Sequence, residues 1–80
     1  MRWQHSDRSK KDYDSLEQKL QKAFDKQARI LADNLLHPSL RAKKYDESQD
    51  LWQARVTKGW RFYSRIDDTY IITRIIPHPK

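Results

Sequence analysis

Arginine and tyrosine side chains recur at alternate positions in two short runs of the second half of the chain. Arg55 lies in the first run, and Arg61, Tyr63 and Arg65 lie in the second. Because successive side chains of a strand point to opposite faces, these residues are predicted to share one face of a sheet. A guanidinium forms paired hydrogen bonds with phosphate oxygens, and a tyrosine ring stacks on a base. The pattern predicts a polar sheet face that can bind a polyanion, although an ordinary amphipathic sheet with ion-paired arginines has the same appearance.

A basic connector and the C-terminal tail supply further candidate residues. Arg41, Lys43 and Lys44 precede the runs. They are candidates for contacts with an RNA backbone, and the two lysines either serve such binding, take part in proton transfer or form a solvated run of charges. His78 stands between two prolines, and imidazole is a side chain that can act as a general acid. The alternative for His78 is a frayed tail without a role in chemistry.

The composition limits the other kinds of chemistry. The chain has no cysteine and three scattered histidines, so neither a disulfide framework nor a zinc site is expected, and no cofactor is predicted. Ser64 has no neighbouring histidine and aspartate, so we expect it to be structural rather than nucleophilic. The net charge of +6 favours a polyanion or an acidic protein as the partner.

No membrane segment is expected in this sequence. No apolar run approaches the roughly 20 residues that span a bilayer, and the N-terminus lacks the apolar core of a signal peptide. The polar face of the long predicted helix mixes basic and acidic side chains, which disfavours a role on a membrane surface. We therefore expect one small domain, residues 1–80, that stays in the cytoplasm.

Two helices are predicted in the first half of the chain. Ser6 can cap a first helix at residues 6–13. Ser15 and Gln18 have the spacing of a capping box, which predicts that the second helix begins near Ser15. This helix is predicted to end near Asn34, shortly before a proline. Its predicted inner face is apolar apart from one glutamine and comprises Leu16, Leu20, Ala23, Phe24, Gln27, Ile30, Leu31 and Leu35.

The second half is predicted to form an antiparallel meander. Turn signals divide it into three runs rich in β-branched and aromatic side chains, at residues 51–56, 60–66 and 69–76. The last run carries apolar groups on both faces, which suits a central strand. Residues 1–4 can supply a fourth strand, and residues 39–50 either begin a strand or remain a loop. The prediction is an α+β fold, β-α-α-β-β-β, with two helices packed on a small antiparallel sheet.

Four short motifs occur in a characteristic order along the chain. They precede the sheet, lie in its first two strands and follow its last strand: His37-Pro38-Ser39-Leu40-Arg41, Asp50-Leu51-Trp52-Gln53-Ala54-Arg55-Val56, Gly59-Trp60-Arg61-Phe62-Tyr63 and Ile75-Ile76-Pro77-His78-Pro79-Lys80. In this order, and with this succession of elements, the chain resembles the RelE/ParE superfamily of bacterial toxins over nearly its whole length.

The resemblance implies a toxin of a type II toxin–antitoxin pair. Such toxins are usually metal-independent endoribonucleases that cut mRNA on the ribosome, where a ribose 2′-hydroxyl attacks the adjacent phosphorus. Arg61 matches the position that contacts the scissile phosphate, Arg55 matches a basic catalytic position, and His78 matches a general acid. Gln53 stands where some members carry a lysine, and residues 40–44 lack the glutamate that some members use as general base.

Two other functions stay open at the level of sequence. A ParE-like inhibitor of DNA gyrase would share the fold, but it would not need Arg55, Arg61 and His78 together. A non-catalytic module would bind RNA or the ribosome through the same basic face without turnover. For the toxin, the resemblance implies a cognate antitoxin that covers the basic face, with mRNA and the ribosome as further partners and no small-molecule cofactor.

Overall fold

The computed structural model describes residues 3–67 and 69–78 of the chain. Its elements are two helices, two short 3₁₀ turns and five strands, in the order β1 (Trp3–His5), α1 (Asp7–Asp14), α2 (Gln18–Asp33), a 3₁₀ turn (Pro38–Leu40), β2 (Lys43–Asp46), a second 3₁₀ turn (Glu47–Gln49), β3 (Leu51–Thr57), β4 (Trp60–Ile66) and β5 (Tyr70–Pro77). The predicted α+β architecture of two helices on one sheet is confirmed. Met1 and Arg2 of the predicted first strand, Asp68 of the predicted turn, and Pro79 and Lys80 of the C-terminal motif lie outside the described residues.

The five strands form one sheet in the order β1-β5-β4-β3-β2. Strands β3, β4 and β5 pair antiparallel, as the predicted meander requires. Strand β5 lies inside the sheet, between β4 and β1, which confirms the central position that its apolar residues indicated.

The sheet is mixed rather than wholly antiparallel, because β1 runs parallel to β5, with Trp3 opposite Tyr70. Parallel neighbours need a long crossover connection, and both helices lie in the chain that connects β1 to the rest of the sheet. The predicted purely antiparallel sheet is wrong in this one strand pair.

The basic connector forms an additional edge strand, so the observed order contains one strand more than the prediction. Strand β2 pairs antiparallel with β3, with Lys43 opposite Gln53 and Lys44 opposite Trp52. Charged side chains are common on edge strands because they oppose pairing with another chain.

The two helix starts differ in how well the sequence predicted them. The side-chain oxygen of Ser6 accepts a hydrogen bond from the N–H of Ser9 at 3.1 Å, which confirms the cap of α1. The predicted capping box of α2 is wrong, because Ser15 ends α1 and its hydroxyl donates to the carbonyl oxygen of Asp12 at 2.7 Å. Helix α2 begins at Gln18 instead, without a side-chain cap. Neither helix in the described part of the chain is long and apolar enough to cross a membrane.

Helix α2 packs one face on the sheet and ends at Asp33, with Asn34 as its C-cap, as predicted. Its buried side chains are Phe24, Gln27, Ala28 and Leu31. The rings of Phe24 and Phe62 are fully buried and meet edge to face, with 5.2 Å between their centroids. Burial of one such side chain stabilises the fold by roughly 1.5–3 kcal/mol, so this pair fixes α2 over the centre of the sheet.

Helix α1 is attached to the part of β5 that lies beyond the end of β1. The carboxylate of Asp12 accepts hydrogen bonds from the backbone N–H of Ile75 at 3.0 Å and from Nε of Arg74 at 2.8 Å. Burial raises the pKa of Asp12, but the hydrogen bonds from Arg74 and Ile75 and the charge of Arg74 outweigh it and lower this pKa. The contact satisfies a strand N–H that β1 is too short to reach.

Candidate nucleic-acid interface

The register of β3 and β4 confirms the predicted faces of these strands. Arg55 lies opposite Arg61, Gln53 opposite Tyr63, and Leu51 opposite Arg65. The alternate residues of the same strands, such as Ala54 and Phe62, are buried under the helices. We call the sheet face that carries the arginines the open face.

Arg61 is held in place by the turn between β3 and β4. Its Nη1 donates to the carbonyl oxygens of Thr57 at 2.7 Å, Trp60 at 2.9 Å and Lys58 at 3.2 Å. Its Nε and Nη2 make no hydrogen bond to residues 3–67 or 69–78. The turn therefore fixes one edge of the guanidinium and leaves donors on the other side for a ligand.

Arg41, Arg55 and Arg61 form an arginine cluster. The pKa of Arg61 is lowered by burial first, then by the positive charges of Arg55 and Arg41, while Tyr63 acts in the opposite direction. Among the described residues, no carboxylate lies within 4.0 Å of any of the three guanidinium groups. Mutual repulsion without a neighbouring carboxylate makes the cluster a favourable place for an external anion.

Arg41 joins the cluster through an unusual backbone conformation. It follows the 3₁₀ turn at Pro38–Leu40 with a φ of 46°, in the left-handed region, and its N–H donates to the carbonyl oxygen of Pro38 at 3.2 Å. A non-glycine residue in this region costs roughly 1–2 kcal/mol. Strain of this kind is more frequent at functional sites, which agrees with a role for Arg41 in binding.

His78 is tied to the same turn as Arg61. Its backbone N–H donates to the carbonyl oxygen of Gly59 at 2.9 Å, and its side chain is exposed. The frayed tail considered for His78 is therefore not what the structure shows at this residue. Its imidazole stands at the end of β5, next to the turn that holds Arg61.

Aromatic side chains extend the open face toward β2. The Nε2 of Gln53 donates to the hydroxyl of Tyr63 at 2.8 Å, which orients the ring of Tyr63. The ring of Tyr45 meets the ring of Tyr63 edge to face, with 5.0 Å between centroids, and Tyr45 is 60% exposed. Tyr45 was not predicted from the sequence, because it lies in the connector, which the sequence left open as either strand or loop. The two-residue spacing of Lys43 and Tyr45 was a signal that both side chains share one face of a strand.

The remaining predicted cations fall into two groups. Lys43 lies opposite Gln53 on the open face, and Arg65 lies on the same face at the far end of β4, about 13 Å from Arg61 at 3.3 Å per residue. Lys44 points to the other face, where its Nζ lies 3.3 Å from the carboxylate of Asp50 and 5.8 Å from the ring centroid of Trp52. The structure therefore separates Lys44 from the predicted RNA-binding residues.

No group of three His, Cys, Asp or Glu side chains within residues 3–67 and 69–78 has the arrangement of a metal site. The chemistry that the open face offers comes from guanidinium groups, phenol rings and the imidazole of His78. Guanidinium groups stabilise phosphate charge, phenol rings stack on bases, and an imidazole transfers a proton.

The fold is found among solved structures, whereas no protein-family model and no curated protein matches the chain. The YoeB/ParE toxin from Agrobacterium tumefaciens superposes with a TM-score of 0.83 at 14% identity, covering 99% of this chain and 100% of that chain. The toxin–antitoxin complex RelBE2 from Mycobacterium tuberculosis contains a match with a TM-score of 0.78 at 22% identity, covering 96% of each chain. The archaeal RelE–RelB complex from Pyrococcus horikoshii contains another, with a TM-score of 0.77 at 20% identity, covering 95% of this chain and 92% of that chain. The chain has the fold of the RelE/ParE-like toxins, so the resemblance is confirmed at the level of fold.

Proposed function

We propose that this chain is the toxin of a type II toxin–antitoxin pair, and that it is a metal-independent endoribonuclease that cleaves mRNA on the ribosome. The observation that carries the proposal is the arginine cluster on the open face, with His78 tied to the same turn as Arg61. The likeness to the YoeB/ParE toxin and to chains of RelE–RelB complexes supports the toxin class.

The proposed reaction is an attack of the ribose 2′-oxygen on the adjacent phosphorus. The bond from the 2′-oxygen to phosphorus forms, and the bond from phosphorus to the 5′-oxygen breaks. Arg61 and Arg55 stabilise the charge on the phosphorane oxygens, and the imidazolium of His78 gives its proton to the departing 5′-oxygen. The proton of the 2′-hydroxyl passes to a solvent water molecule, and the arginines contribute electrostatic stabilisation of the phosphorane.

The open face also provides a path for the RNA strand on either side of the scissile phosphate. Tyr63 and Tyr45 offer aromatic surface to the bases, and Lys43 and Arg65 offer cations to neighbouring phosphates. Lys44 has no part in this path, because it is ion-paired on the opposite face.

The proposed protein partner is a cognate antitoxin with an acidic or amphipathic segment. Several of the similar structures are complexes of a toxin with an antitoxin. The net charge of +6 attracts an acidic segment, and coverage of the arginine cluster would block access of RNA.

The test is to map mRNA 5′-ends in cells after brief induction of the wild-type chain and of single variants. We expect new 5′-ends with wild type and their loss with Arg61→Ala and with His78→Ala. Arg29→Ala is the matched control, because Arg29 is an exposed arginine on α2, the helix that packs on the opposite face of the sheet from the open face. Thermal unfolding of each purified variant verifies that it is folded.

Two results would contradict the proposal. The same new 5′-ends with wild type and Arg61→Ala would remove the arginine cluster from the reaction. Growth arrest with damaged DNA and intact mRNA would identify a gyrase inhibitor of the ParE kind, which the presence of a YoeB/ParE toxin among the similar structures makes the second candidate.

A further inference from the structure

A cleft of about 500 Å³ lies between α2, the 3₁₀ turn at Pro38–Leu40 and β3. Its volume falls within the roughly 300–1,000 Å³ of sites that bind small molecules. Its lining includes the basic side chains of Lys26, Arg41 and Arg55, together with Gln27 and the apolar Val56. A cleft of this composition suits a ligand that has both a negatively charged group and an apolar or planar part.

Three positive charges meet at this cleft without a carboxylate to neutralise them. In the described parts of the chain, no acidic oxygen lies within 4.0 Å of the charged groups of Lys26, Arg41 or Arg55. An anion bound in the cleft would be attracted by all three positive charges. Lys26 is exposed on α2 and lines the cleft.

Gln27 lines the same cleft, and two hydrogen bonds hold its side-chain amide in a fixed orientation. Its Nε2 donates to the carbonyl oxygens of Ser39 at 3.1 Å and Arg55 at 2.8 Å, which uses both amide hydrogens. Because only the NH₂ end can donate to two carbonyls, the identity of the two amide atoms is settled. The Oε1 of Gln27 has no hydrogen-bond partner among the described residues, so it can accept from an N–H of a base.

We propose that the cleft binds one nucleotide of the RNA strand that lies on the open face, with Lys26 paired with the phosphate of that nucleotide. The inference rests on the proposed function, since it takes RNA as the ligand of the arginine cluster. Arg41 and Arg55 belong both to that cluster and to the cleft. A strand bound at Arg61 therefore reaches the cleft along continuous positive charge, which favours the same RNA over a separate acidic peptide.

The test compares two lysines of α2 that carry the same charge. Binding of a short single-stranded RNA with 2′-O-methyl riboses, which cannot be cleaved, is measured by fluorescence anisotropy for wild type, Lys26→Ala and Lys22→Ala at several salt concentrations. Lys22 is exposed on the same helix but does not line the cleft. Both variants replace an exposed helical residue with alanine, so the helix is retained.

We expect Lys26→Ala to weaken binding by about fivefold and to reduce the slope of log affinity against log salt by about 0.7, the value for one phosphate contact on single-stranded RNA. Lys22→Ala is expected to change affinity by less than about twofold, because Lys22 is exposed and does not line the cleft, so it makes no direct phosphate contact there. Equal effects of the two substitutions would overturn the proposal, and so would binding of a glutamate-rich peptide that depends on Lys26 when RNA binding does not.

The failure of this inference is distinguishable from failure of the proposed function. Cleavage of mRNA that is unaffected by Lys26→Ala, with RNA binding also unchanged, would remove the nucleotide site and leave the ribonuclease in place. Binding of the uncleavable RNA that depends on Lys26, in a protein that cuts no mRNA, would support the nucleotide site and reject the ribonuclease.

Discussion

The backbone N–H of His78 donates a hydrogen bond to the carbonyl oxygen of Gly59 at 2.9 Å, in the turn between β3 and β4. The carbonyl oxygens of Thr57, Lys58 and Trp60 around the same turn accept hydrogen bonds from Arg61. One turn thus positions two proposed catalytic residues that are 17 positions apart in the sequence. Because the turn holds the guanidinium of Arg61 and the backbone of His78 before RNA binds, the position of the Arg61 charge needs little reorganisation when the phosphorane forms.

Replacement of Arg61 with lysine tests the need for a guanidinium. We expect the rate of mRNA cleavage to fall by roughly 10²–10³-fold, because lysine cannot supply paired donors to two phosphorane oxygens. The rate is measured on a defined mRNA in a purified translation system. Arg29→Lys makes the same chemical change on an exposed part of α2 and should keep the wild-type rate. Equal cleavage rates for the two variants would show that the guanidinium of Arg61 is not needed for the reaction.

Tyr45 is predicted to bind RNA through its ring. Its side chain is 60% exposed and packs against Tyr63, so Tyr45→Ala should weaken binding of single-stranded RNA by about 1–3 kcal/mol. Tyr45→Phe keeps the ring and should retain affinity close to that of wild type. Fluorescence anisotropy titrations measure the RNA affinity of both variants. A loss of affinity with Tyr45→Phe as large as with Tyr45→Ala would show that stacking by the ring does not account for the loss.

Arg41 is predicted to lower the stability of the fold through its backbone conformation and to contribute to RNA binding through its side chain. At its φ of 46°, Arg41→Gly should unfold with a free energy about 1 kcal/mol higher than that of Arg41→Ala, because glycine tolerates the left-handed region and alanine does not. Both variants should lose the same affinity for RNA. Denaturant unfolding measures the stability of the two variants, and fluorescence anisotropy measures their affinity for RNA. An alanine variant at least as stable as the glycine variant would show that the backbone at this position is not strained.

Asp12 is predicted to make the stability of the fold depend on pH. At neutral pH, Asp12→Ala should lower the free energy of unfolding by about 1–3 kcal/mol, because the N–H of Ile75 and the guanidinium of Arg74 lose their acceptor. The folded protein lowers the pKa of Asp12 below its ordinary 3.8. This stabilisation is therefore present above the pKa of the unfolded chain and is lost as the pH falls through the folded value.

Unfolding of wild type and Asp12→Ala at a series of pH values measures this effect. The difference between their free energies of unfolding should become smaller below about pH 4. Asp14→Ala is the control on the same helix, because its pair with Lys10 is exposed and should contribute no more than about 0.5 kcal/mol. If wild type and Asp12→Ala differ in free energy of unfolding by the same amount down to low pH, the charge of the Asp12 carboxylate does not stabilise the fold.

The sequence predicted best the features that depend on local periodicity. The two-residue alternation of β3 and β4 was sufficient to place Arg55, Arg61 and Tyr63 on one face, and the apolar stripe of α2 identified Phe24 and Gln27 as buried. These assignments succeeded because burial of one face leaves a regular pattern in the sequence.

The errors and omissions arise where a distant contact or a competing local one decides the structure. Ser15 has capping-box spacing, but its hydroxyl bonds to the carbonyl oxygen of Asp12 instead. The parallel pairing of β1 with β5, the attachment of His78 to Gly59 and the presence of Lys26 in the cleft join residues that are far apart in the sequence. Periodicity carries no information about such contacts.

The chemistry of the RNA ends tests the central claim most directly. A defined mRNA is translated in a purified system with the wild-type chain, and the fragment ends are identified, alongside an mRNA with a 2′-deoxy nucleotide at the mapped cleavage site. Attack by the 2′-oxygen predicts a 2′,3′-cyclic phosphate on the 5′ fragment, a 5′-hydroxyl on the 3′ fragment and no cleavage of the deoxy substrate. A 5′-phosphate on the 3′ fragment, or cleavage of the deoxy substrate, would contradict the proposed role of the arginine cluster and His78.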